Sequence, residues 1–400
     1  MNIIFSSLLG TPAPTAVLVG VGSLILFVLV GLIVGPGFEG INAPAIVEED
    51  KNSDARQSPE KDLSDKNKIN KSESNSKSLE QKSQVSQKDS VTNEQAKKTI
   101  KKKPHSDVPI NTYKPKAPFL GTVSDNYSAL KDGAIGKVQH ITFDLSESDP
   151  FFNYVEGQSI GIIPAGEDEK GKPFKPRLYS IASTRHGDNF EDKTISLCVR
   201  QLQYEKDGET INGVCSTYLC NLAKGDKVKI SGPVGKEMLL PEEEDANIIM
   251  MATGTGIAPM RAYLRRMFEP TEREKNSWNF RGKAWLFMGA PKTANLLYDD
   301  DFEHYKKQFP ENLIYTKAIS REQQNQKGGR MYIQDRVLEH SEEIFNMIEN
   351  PKTHIYLCGL KGMEPGIDEA MTKAAEAKGI NWAELRPQLK KAGRWHVETY

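Results

Sequence analysis

The chain has 400 residues, enough for two or three domains, and its formal net charge at pH 7 is −1. This balance argues against a nucleic-acid partner, because a phosphate backbone is bound by an excess of lysine and arginine. The four cysteines (Cys198, Cys215, Cys220 and Cys358) are scattered without metal-ligand spacing, and a chain of this length needs no disulfide framework. We therefore expect reduced thiols and no metal site.

Residues 1–38 are predicted to form a membrane anchor region. Residues 16–34 contain no charged side chain, and as a helix they would cover roughly 29 Å, close to the hydrocarbon thickness of a bilayer. A cleaved secretory signal and a soluble apolar helix are the alternatives, but residues 1–15 lack the Lys or Arg of a signal's basic region. Lys51 and Arg56 follow the helix and no basic residue precedes it, which favours a cytoplasmic or stromal C-terminal body.

Residues 39–107 are predicted to form a disordered polar linker. From about Glu48 onward, Lys, Ser, Asn, Gln, Asp and Glu dominate. The segment has almost no apolar side chains whose burial could offset the conformational entropy lost on ordering. A lysine cluster within residues 97–103 is compatible with contact to anionic lipid or an acidic partner, and equally with a solvated charge run.

Residues 108–241 are predicted to form an antiparallel β-barrel or sandwich. Short apolar–polar alternations are broken there by Gly and Pro, the pattern of short strands joined by turns. The candidate strands are residues 137–145, 159–163, 177–183, 194–201 and 227–231.

Residues 242–400 are predicted to form a doubly wound α/β domain with a largely parallel sheet, because apolar strands alternate with helical patterns. The candidate strands are residues 247–251, 284–288, 313–318 and 354–358, and the candidate helices are residues 259–268, 335–348 and 367–377. A barrel followed by a nucleotide-type domain allows one ligand of each domain to meet at the boundary between them.

The segment Arg177-Leu178-Tyr179-Ser180 combines three useful chemistries at a predicted strand: a cation for a phosphate, an aromatic face for a flat ring, and a hydroxyl for a ring nitrogen. A structural tyrosine in a barrel is the plain alternative. Further motifs follow in order: Leu197-Cys198-Val199-Arg200, Gly213-Val214-Cys215-Ser216, Gly254-Thr255-Gly256-Ile257-Ala258-Pro259, Ser320-Arg321-Glu322-Gln323, Met331-Tyr332-Ile333-Gln334, Tyr356-Leu357-Cys358-Gly359-Leu360-Lys361-Gly362-Met363 and Trp395-His396-Val397-Glu398-Thr399-Tyr400. In this order and spacing the set closely resembles the plant- and cyanobacterial-type ferredoxin–NADP⁺ reductases over residues 113–400, without covering the anchor or the linker.

The resemblance implies bound FAD in the first half. Arg177 is expected to neutralise the pyrophosphate, Tyr179 to stack on the isoalloxazine ring, and Ser180 to hydrogen-bond near the flavin N5. Small residues at 213–216 suit a backbone that approaches an anion closely. The FAD residues implied are Arg177, Leu178, Tyr179, Ser180, Cys198, Val199, Arg200, Tyr204, Gly213, Val214, Cys215, Ser216 and Tyr400.

The resemblance implies NADP in the second half. The N–H groups of the glycine turn 254–259 and of the helix after it favour a pyrophosphate. The hydroxyl of Ser320, the guanidinium groups of Arg321 and Arg330, and the ring of Tyr332 suit the 2′-phosphate and adenine of NADP, whereas NAD sites tend to place a carboxylate at the ribose. The NADP residues implied are Arg200, Thr255, Gly256, Ser320, Arg321, Arg330, Tyr332, Gln334, Gly359, Leu360 and Glu398.

Four residues are expected to form the catalytic site on the same resemblance. Tyr400 would cover the flavin until nicotinamide displaces it, which keeps nicotinamide from being held too tightly. Glu398 would relay a proton, and Cys358 would position nicotinamide beside Ser180. The reaction implied is reversible: FAD collects two single electrons from reduced 2Fe–2S ferredoxin and passes a hydride to NADP⁺ in photosynthetic electron transport.

Four lysines match positions at which the family docks acidic ferredoxin: Lys114, Lys116, Lys172 and Lys175. Exposed lysines are common on any surface, so a solvated charge is the alternative for each. Flavodoxin or another acceptor stays open as the partner, and so does a membrane-tethered docking subunit with incidental activity. With the anchor, the resemblance predicts an enzyme held at the thylakoid membrane, with its catalytic domains on the cytoplasmic or stromal side.

Overall fold

A computed structural model describes residues 105–275 and 277–400, all within the unit Glu94–Tyr400. The predicted anchor helix, and the predicted linker except for residues 105–107, lie outside the described residues. Among the helices that the structure does describe, none combines the length and the apolar character needed to cross a membrane.

The first half is built on a six-stranded antiparallel sheet. Its elements in chain order are β1 (Phe119–Ser128), β2 (Val138–Asp144), β3 (Ser159–Ile163), β4 (Arg177–Ser180), β5 (Thr194–Arg200), β6 (Gln203–Lys206), β7 (Glu209–Asn212), helix α1 (Val214–Cys220) and β8 (Lys227–Val234). The sheet order is β4-β3-β8-β1-β2-β5, and β6 and β7 form a separate exposed ribbon. Ile181, directly after β4, bridges to Leu197 of β5, so the two edges of the sheet meet.

The core of this half lies on one face of the sheet. Ile160 and Ile162 of β3 point into it, as do Ile195 and Leu197 of β5, and all four are fully buried. Alternate residues of a strand share a face, so two short strands supply four large side chains. Each contributes roughly 1.5–3 kcal/mol of burial free energy.

The second half is a parallel five-stranded sheet with helices on both faces. Its elements are β9 (Asn247–Thr253), α2 (Ile257–Phe268), α3 (Pro270–Lys275), β10 (Ala284–Ala290), α4 (Asp299–Gln308), β11 (Leu313–Ile319), α5 (Ile333–Glu339), α6 (Ser341–Glu349), β12 (Thr353–Gly359), α7 (Met363–Glu376), α8 (Trp382–Lys391) and β13 (Trp395–Thr399). The order β11-β10-β9-β12-β13 is parallel throughout. Neighbouring residues of β9 pack into different clusters, Ile248 on one face and Ile249 on the other, as a doubly wound sheet requires.

One predicted helix was wrong in its extent. Residues 335–348 are not one helix, because α5 and α6 are separated at His340, whose φ of −107° and ψ of 22° leave the helical region. The ring of His340 contacts Trp285 and Phe287 of β10 edge-on, at centroid distances of 5.2 and 6.1 Å. The break therefore lies where the chain packs a flat ring against the sheet.

The strand order places the ligand crevice. Order reverses between β9 and β12, and ligands of open α/β sheets bind outside the carboxyl ends of strands at such a switch point. A short 3₁₀ turn, Gly254–Gly256, follows β9, and Gly359 ends β12 at the same edge. The motifs of the second half thus gather at this edge.

Candidate active site

The carboxylate of Glu398 joins the two halves. Ser159 and Ser180 stand opposite each other in the β3–β4 register. Ser159 Oγ donates to Glu398 Oε1 at 3.1 Å, and Ser180 Oγ donates to Glu398 Oε2 at 3.0 Å. Each carboxylate oxygen therefore accepts a hydrogen bond from a different strand of the antiparallel half.

Ser159 was missed by the sequence analysis, although a signal was present. Residues 159–163 and 177–183 were both predicted as strands, and an antiparallel hairpin of the two would have set Ser159 beside Ser180. Ser159 is 4% exposed, so its hydroxyl needs a partner, and Glu398 supplies it.

Cys358 lies next to Glu398 in the parallel sheet, because the two are paired in the β12–β13 register. The thiol is fully buried, and burial together with the charge of Glu398 raises its pKa. A thiol kept protonated is a poor nucleophile, so Cys358 is unsuited to covalent chemistry. Because its side chain is fully buried, Cys358 can contact a ligand only if a neighbouring group moves. All four cysteines are free and buried.

Tyr400 lies between the glycine turn and the end of β12. Its hydroxyl is 2.6 Å from Thr255 Oγ1, and its main-chain N–H donates to the Gly359 carbonyl at 3.0 Å. The side chain is nevertheless about half exposed. Tyr179 is half-buried, and the two rings make no stacking contact with each other within the described residues. The tyrosine at 400 is therefore tethered by its hydroxyl while its ring remains accessible.

The glycine turn packs tightly against β12. A Cβ on Gly256 would lie 2.6 Å from the Gly359 nitrogen and closer still to the Cys358 carbonyl group. Glycine at 256 is thus required by the approach of two strand ends, a reason separate from any ligand. Helix α2 begins at Ile257 with no side-chain cap and no acidic residue in its first turn, so the positive end of its dipole faces an anion without competition from a carboxylate. The Ile257 N–H, however, already donates to the Gly254 and Thr255 carbonyls, and Pro259 has no N–H.

Four arginines predicted to bind phosphate groups are exposed: Arg177, Arg200, Arg321 and Arg330. Within residues 105–275 and 277–400, none of them forms an ion pair with a carboxylate. Several predicted cofactor residues are also large apolar or aromatic side chains left exposed: Leu178, Tyr204, Val214, Tyr332, Leu360 and Tyr400. Exposed guanidinium groups suit the phosphates of FAD and NADP, and exposed apolar and aromatic side chains suit their flat rings.

Three residues predicted at the FAD site turn their side chains inward. Cys198, Val199 and Cys215 are buried in the hydrophobic clusters. Any contact they make with a cofactor must come from main-chain atoms. The Ser216 hydroxyl is also engaged, because it accepts the Leu202 N–H at 3.0 Å. Gly213 caps α1 without a side-chain hydrogen bond, which leaves the first-turn amides of that segment available.

The remaining predicted NADP residues lie near the carboxyl edge of the parallel sheet. Ser320 directly follows β11, and its N–H donates to the Ala290 carbonyl at the end of β10 at 2.9 Å. Tyr332 precedes α5 and Gln334 lies in its first turn. These positions are on the same edge as the glycine turn.

The four predicted docking lysines lie in two exposed loops of the antiparallel half. Lys114 and Lys116 belong to the turn before β1, which a Lys114–Ala117 bridge closes, and Lys172 and Lys175 belong to the loop before β4. In the part of the chain that the structure describes, none of the four forms an ion pair, and no cluster of three or more His, Cys, Asp or Glu could hold a metal ion.

Comparison with known proteins gives consistent relatives. A family model described as the oxidoreductase NAD-binding domain matches residues 250–369. The chain is 61% identical over 303 residues to the ferredoxin–NADP reductase of Synechocystis sp., covering 76% of this chain and 72% of the relative. It is 48% identical over 300 residues to the chloroplastic ferredoxin–NADP reductase of Spinacia oleracea, covering 75% and 80%. Among solved structures, the ferredoxin–NADP⁺ reductase of Plasmodium falciparum with 2′P-AMP matches with a TM-score of 0.58 at 25% identity, covering 72% of this chain and 99% of that chain.

Proposed function

The chain belongs to the ferredoxin–NADP reductase family, and we propose that the residues gathered around Glu398 and Tyr400 carry out the family's reaction. The protein is an oxidoreductase that uses FAD and NADP and transfers electrons from ferredoxin to NADP⁺ in photosynthesis. The observation that carries the residue-level proposal is the Glu398 carboxylate. It belongs to the nucleotide-type half, yet it accepts hydrogen bonds from Ser159 and Ser180 of the other half.

Bound FAD supplies exchange of single electrons with an iron–sulfur partner and of a hydride with a nicotinamide. We assign its binding to the half formed by residues 108–241, with Arg177 at the pyrophosphate and the ring of Tyr179 against the flavin. NADP is assigned to residues 242–400. The exposed guanidinium and aromatic groups described above are the chemical support for both assignments.

Glu398 and the two serines orient a hydroxyl and hold a proton. Because Glu398 accepts through both oxygens, the proton of Ser180 points at the carboxylate, and the lone pairs of Ser180 Oγ face away from it. A hydroxyl fixed in this way accepts a hydrogen bond from a ring N–H on its free side. When the free side of Ser180 Oγ accepts a proton, Ser180 can pass its own proton to Glu398 Oε2, and Glu398 then holds it, because Ser159 already donates its hydroxyl proton to the other carboxylate oxygen.

Tyr400 acts as a displaceable cover in this proposal. Its ring is tethered by one hydroxyl–hydroxyl bond to Thr255, worth roughly 0.5–1.5 kcal/mol, so a nicotinamide can move it at modest cost. Replacing Tyr400 with Ser is expected to tighten NADP⁺ binding and to slow product release, whereas replacing it with Phe changes both only slightly. An equal effect of the two variants would refute the cover.

The 2′-phosphate of NADP is assigned to Ser320, Arg321, Arg330 and Tyr332. The two guanidinium groups are exposed, and within the described residues no carboxylate competes for them. A planar fork of donors matches a phosphate in two places at once, which an uncharged ribose hydroxyl cannot exploit. This assignment accounts for a preference for NADP over NAD.

The partner side is assigned to Lys114, Lys116, Lys172 and Lys175, whose ammonium groups face solvent. Their target is acidic ferredoxin, with flavodoxin as the alternative acceptor to be assayed beside it. Opposite charges on two partners raise the rate of encounter more than the final affinity.

Residues 1–38 are proposed to anchor the enzyme at a thylakoid membrane, with residues 39–104 as a disordered tether and the catalytic halves on the cytoplasmic or stromal side. The support is the uncharged run at residues 16–34 and the polar composition after it. Membranes carrying the full chain are to be washed with high salt and then with detergent. We expect the protein to stay with the membranes in high salt and to be released only by detergent. Release by high salt would refute an integral anchor.

The decisive test of the reaction uses the purified full chain. We expect a yellow protein whose released chromophore is FAD, and NADP⁺ reduction that depends on added reduced ferredoxin and fails with NAD⁺. Glu398→Gln is expected to retain the yellow colour but to slow hydride transfer. A colourless protein that added FAD does not reconstitute would overturn the proposal.

A further inference from the structure

A cluster of charged groups is buried where helix α2 meets the antiparallel half. Helix α2 starts directly after the glycine turn, and its Arg261 is only 4% exposed. Arg261 Nη1 donates to Asp188 Oδ1 at 2.7 Å and to the Ala182 carbonyl oxygen at 2.9 Å. Ala182 comes two residues after Ser180, so this guanidinium connects helix α2, which follows the glycine turn, to the end of the strand that carries Ser180.

Asp188 lies in the loop between β4 and β5 and makes further bonds in the same place. Its Oδ2 is 2.8 Å from His140 Nε2 and accepts the Ser196 hydroxyl at 2.6 Å. Its main-chain carbonyl accepts Arg265 Nη2 at 3.1 Å. Burial alone would raise the pKa of this carboxyl, but Arg261 and His140 hold it well below its ordinary value, so Asp188 stays ionised. We refer to Asp188, His140, Ser196, Arg261 and Arg265 as the Asp188 cluster.

The cluster is better suited to fixing a geometry than to adding stability. Burying an ion pair costs desolvation energy that its attraction barely offsets, and a packed apolar pair would do as well for the fold. A guanidinium, in contrast, bonds in fixed directions, and here one nitrogen binds partners on both Ala182 and Asp188. The ring of Tyr298 also lies 4.6 Å from the guanidinium carbon of Arg261, which restricts the guanidinium further.

We propose that Asp188 is a positioning residue for hydride transfer: it holds Arg261 against the Ala182 carbonyl and so fixes the glycine turn relative to Ser180. This inference rests on the proposed function, in which the turn binds NADP and Ser180 lies at the flavin. Hydride transfer requires the reacting atoms at about 3–3.5 Å, and a misplacement of about 1 Å can slow a reaction roughly 100-fold. The lysines assigned to ferredoxin docking belong to the antiparallel half, so we expect reduction by ferredoxin to be insensitive to this contact.

The test compares Asp188→Asn with Asp299→Asn in the full chain. Asp299 is a matched control, since it pairs with Lys317 at 2.6 Å and is similarly shielded, but both residues belong to the parallel half. Flavin reduction is followed in single turnovers, once with NADPH and once with reduced ferredoxin. The Kd for 2′P-AMP, the FAD content and the unfolding temperature are measured alongside.

For Asp188→Asn we expect hydride transfer from NADPH to slow by roughly 10- to 100-fold. The ferredoxin step, the 2′P-AMP affinity and the FAD content should stay within about twofold, because the phosphate-binding groups are untouched. Asp299→Asn should leave both half-reactions unchanged. Unchanged hydride transfer in Asp188→Asn, equal slowing of both half-reactions, or equal slowing in the control would each overturn the proposal.

A second variant covers the case in which Asp188→Asn does not fold. Arg261→Lys keeps the positive partner of Asp188, so the buried charge stays compensated, but the lysine side chain ends one bond short of Nη1 and its ammonium group has no fixed planar orientation. Near-normal unfolding with slow hydride transfer supports the positioning role, and normal hydride transfer refutes it. A wild-type protein that exchanges no hydride with NADPH would instead overturn the proposed function, before any variant is compared.

Discussion

The contact between Gly256 and the end of β12 gives a prediction whose size follows from the structure. Gly256 has a φ of −60° and a ψ of −8°, a backbone conformation that alanine adopts without strain. Its Cβ, however, would lie 2.6 Å from the Gly359 nitrogen and nearer still to the Cys358 carbonyl group, where 3.0 Å is the closest approach that real Cβ atoms show. Gly256→Ala must therefore push the turn away from β12.

The displacement needed is on the order of 1 Å, because both neighbours are main-chain atoms that cannot rotate away. Overpacking of this kind costs about 1–3 kcal/mol, which lowers the unfolding temperature by roughly 2–4 °C for each kcal/mol in a protein of this size. The same shift moves Thr255 relative to Glu398 and Tyr400. Hydride transfer should therefore slow by roughly 100-fold.

The matched control is Gly362→Ala. Gly362 has a φ of −61° and a ψ of −13°, also lies at a helix start beyond β12, and would place its Cβ in open space. This variant should be unchanged or more stable by about 0.4–1 kcal/mol, since alanine restricts the unfolded chain. Thermal unfolding and single-turnover reduction by NADPH measure both effects. If Gly256→Ala behaves like Gly362→Ala, the close approach has been misread.

Three further predictions concern binding and pH. Arg321→Leu and Arg330→Leu should each raise KM for NADPH about 10- to 100-fold, for one lost charge-assisted bond, and leave KM for NADH unchanged; equal losses with both nucleotides would contradict a 2′-phosphate site. Lys114→Gln combined with Lys116→Gln should slow the stopped-flow reaction with ferredoxin at low ionic strength, and the difference should vanish near about 0.5 M salt, whereas ferricyanide reduction should be unaffected at any salt concentration. Burial, together with charge on His396, lowers the pKa of His354 from 6.5 to about 4, so the unfolded chain binds more protons within that window. The free energy of unfolding should therefore fall by up to about 1.4 kcal/mol per pH unit as the pH is lowered from 6.5 to about 4. In His354→Gln, the free energy of unfolding measured with urea should depend less on pH, and an unchanged pH dependence would contradict this account.

The sequence located most strands because apolar side chains alternate or run together in them. The strand at residues 159–163 agrees with β3 at both ends, and residues 247–251 fall within β9. β1 was missed because only its first part carries buried side chains at alternate positions, up to Val123. Its remainder is polar and gains main-chain bonds to β2 beyond a bulge between Val123 and Asp125.

Helices α1, α3, α4 and α8 were not predicted, and the two longest of them, α4 and α8, were missed for different physical reasons. α4 begins with three aspartates and buries only Phe302 and Tyr305, so its apolar pattern is too thin to detect. α8 contains Pro387, which normally ends a helix, yet the helix continues because Trp382 and Leu389 anchor its two ends in the core. In both cases packing decides what local preference leaves open.

Site residues were predictable where short sequence motifs carry them, and not where they depend on contacts between the two halves of the fold. Glu398 and Thr255 were identified from short motifs, each of which ends a strand or begins a helix. The role of Asp188 has no such local signal, because its partner Arg261 is 73 residues away in another sheet's helix. The one indication of a buried hydrogen-bond acceptor was Arg261 itself, because it lies within an otherwise apolar stretch of α2.

All four cysteines are enclosed by the fold, and none lies in residues 1–104. A thiol introduced on the surface would consequently be the sole reactive sulfur of the native protein. Spin labels, fluorophores or cross-linkers can then be installed one position at a time around the lysine loops without first deleting native residues. The partner's footprint can be charted on an enzyme that is otherwise wild type.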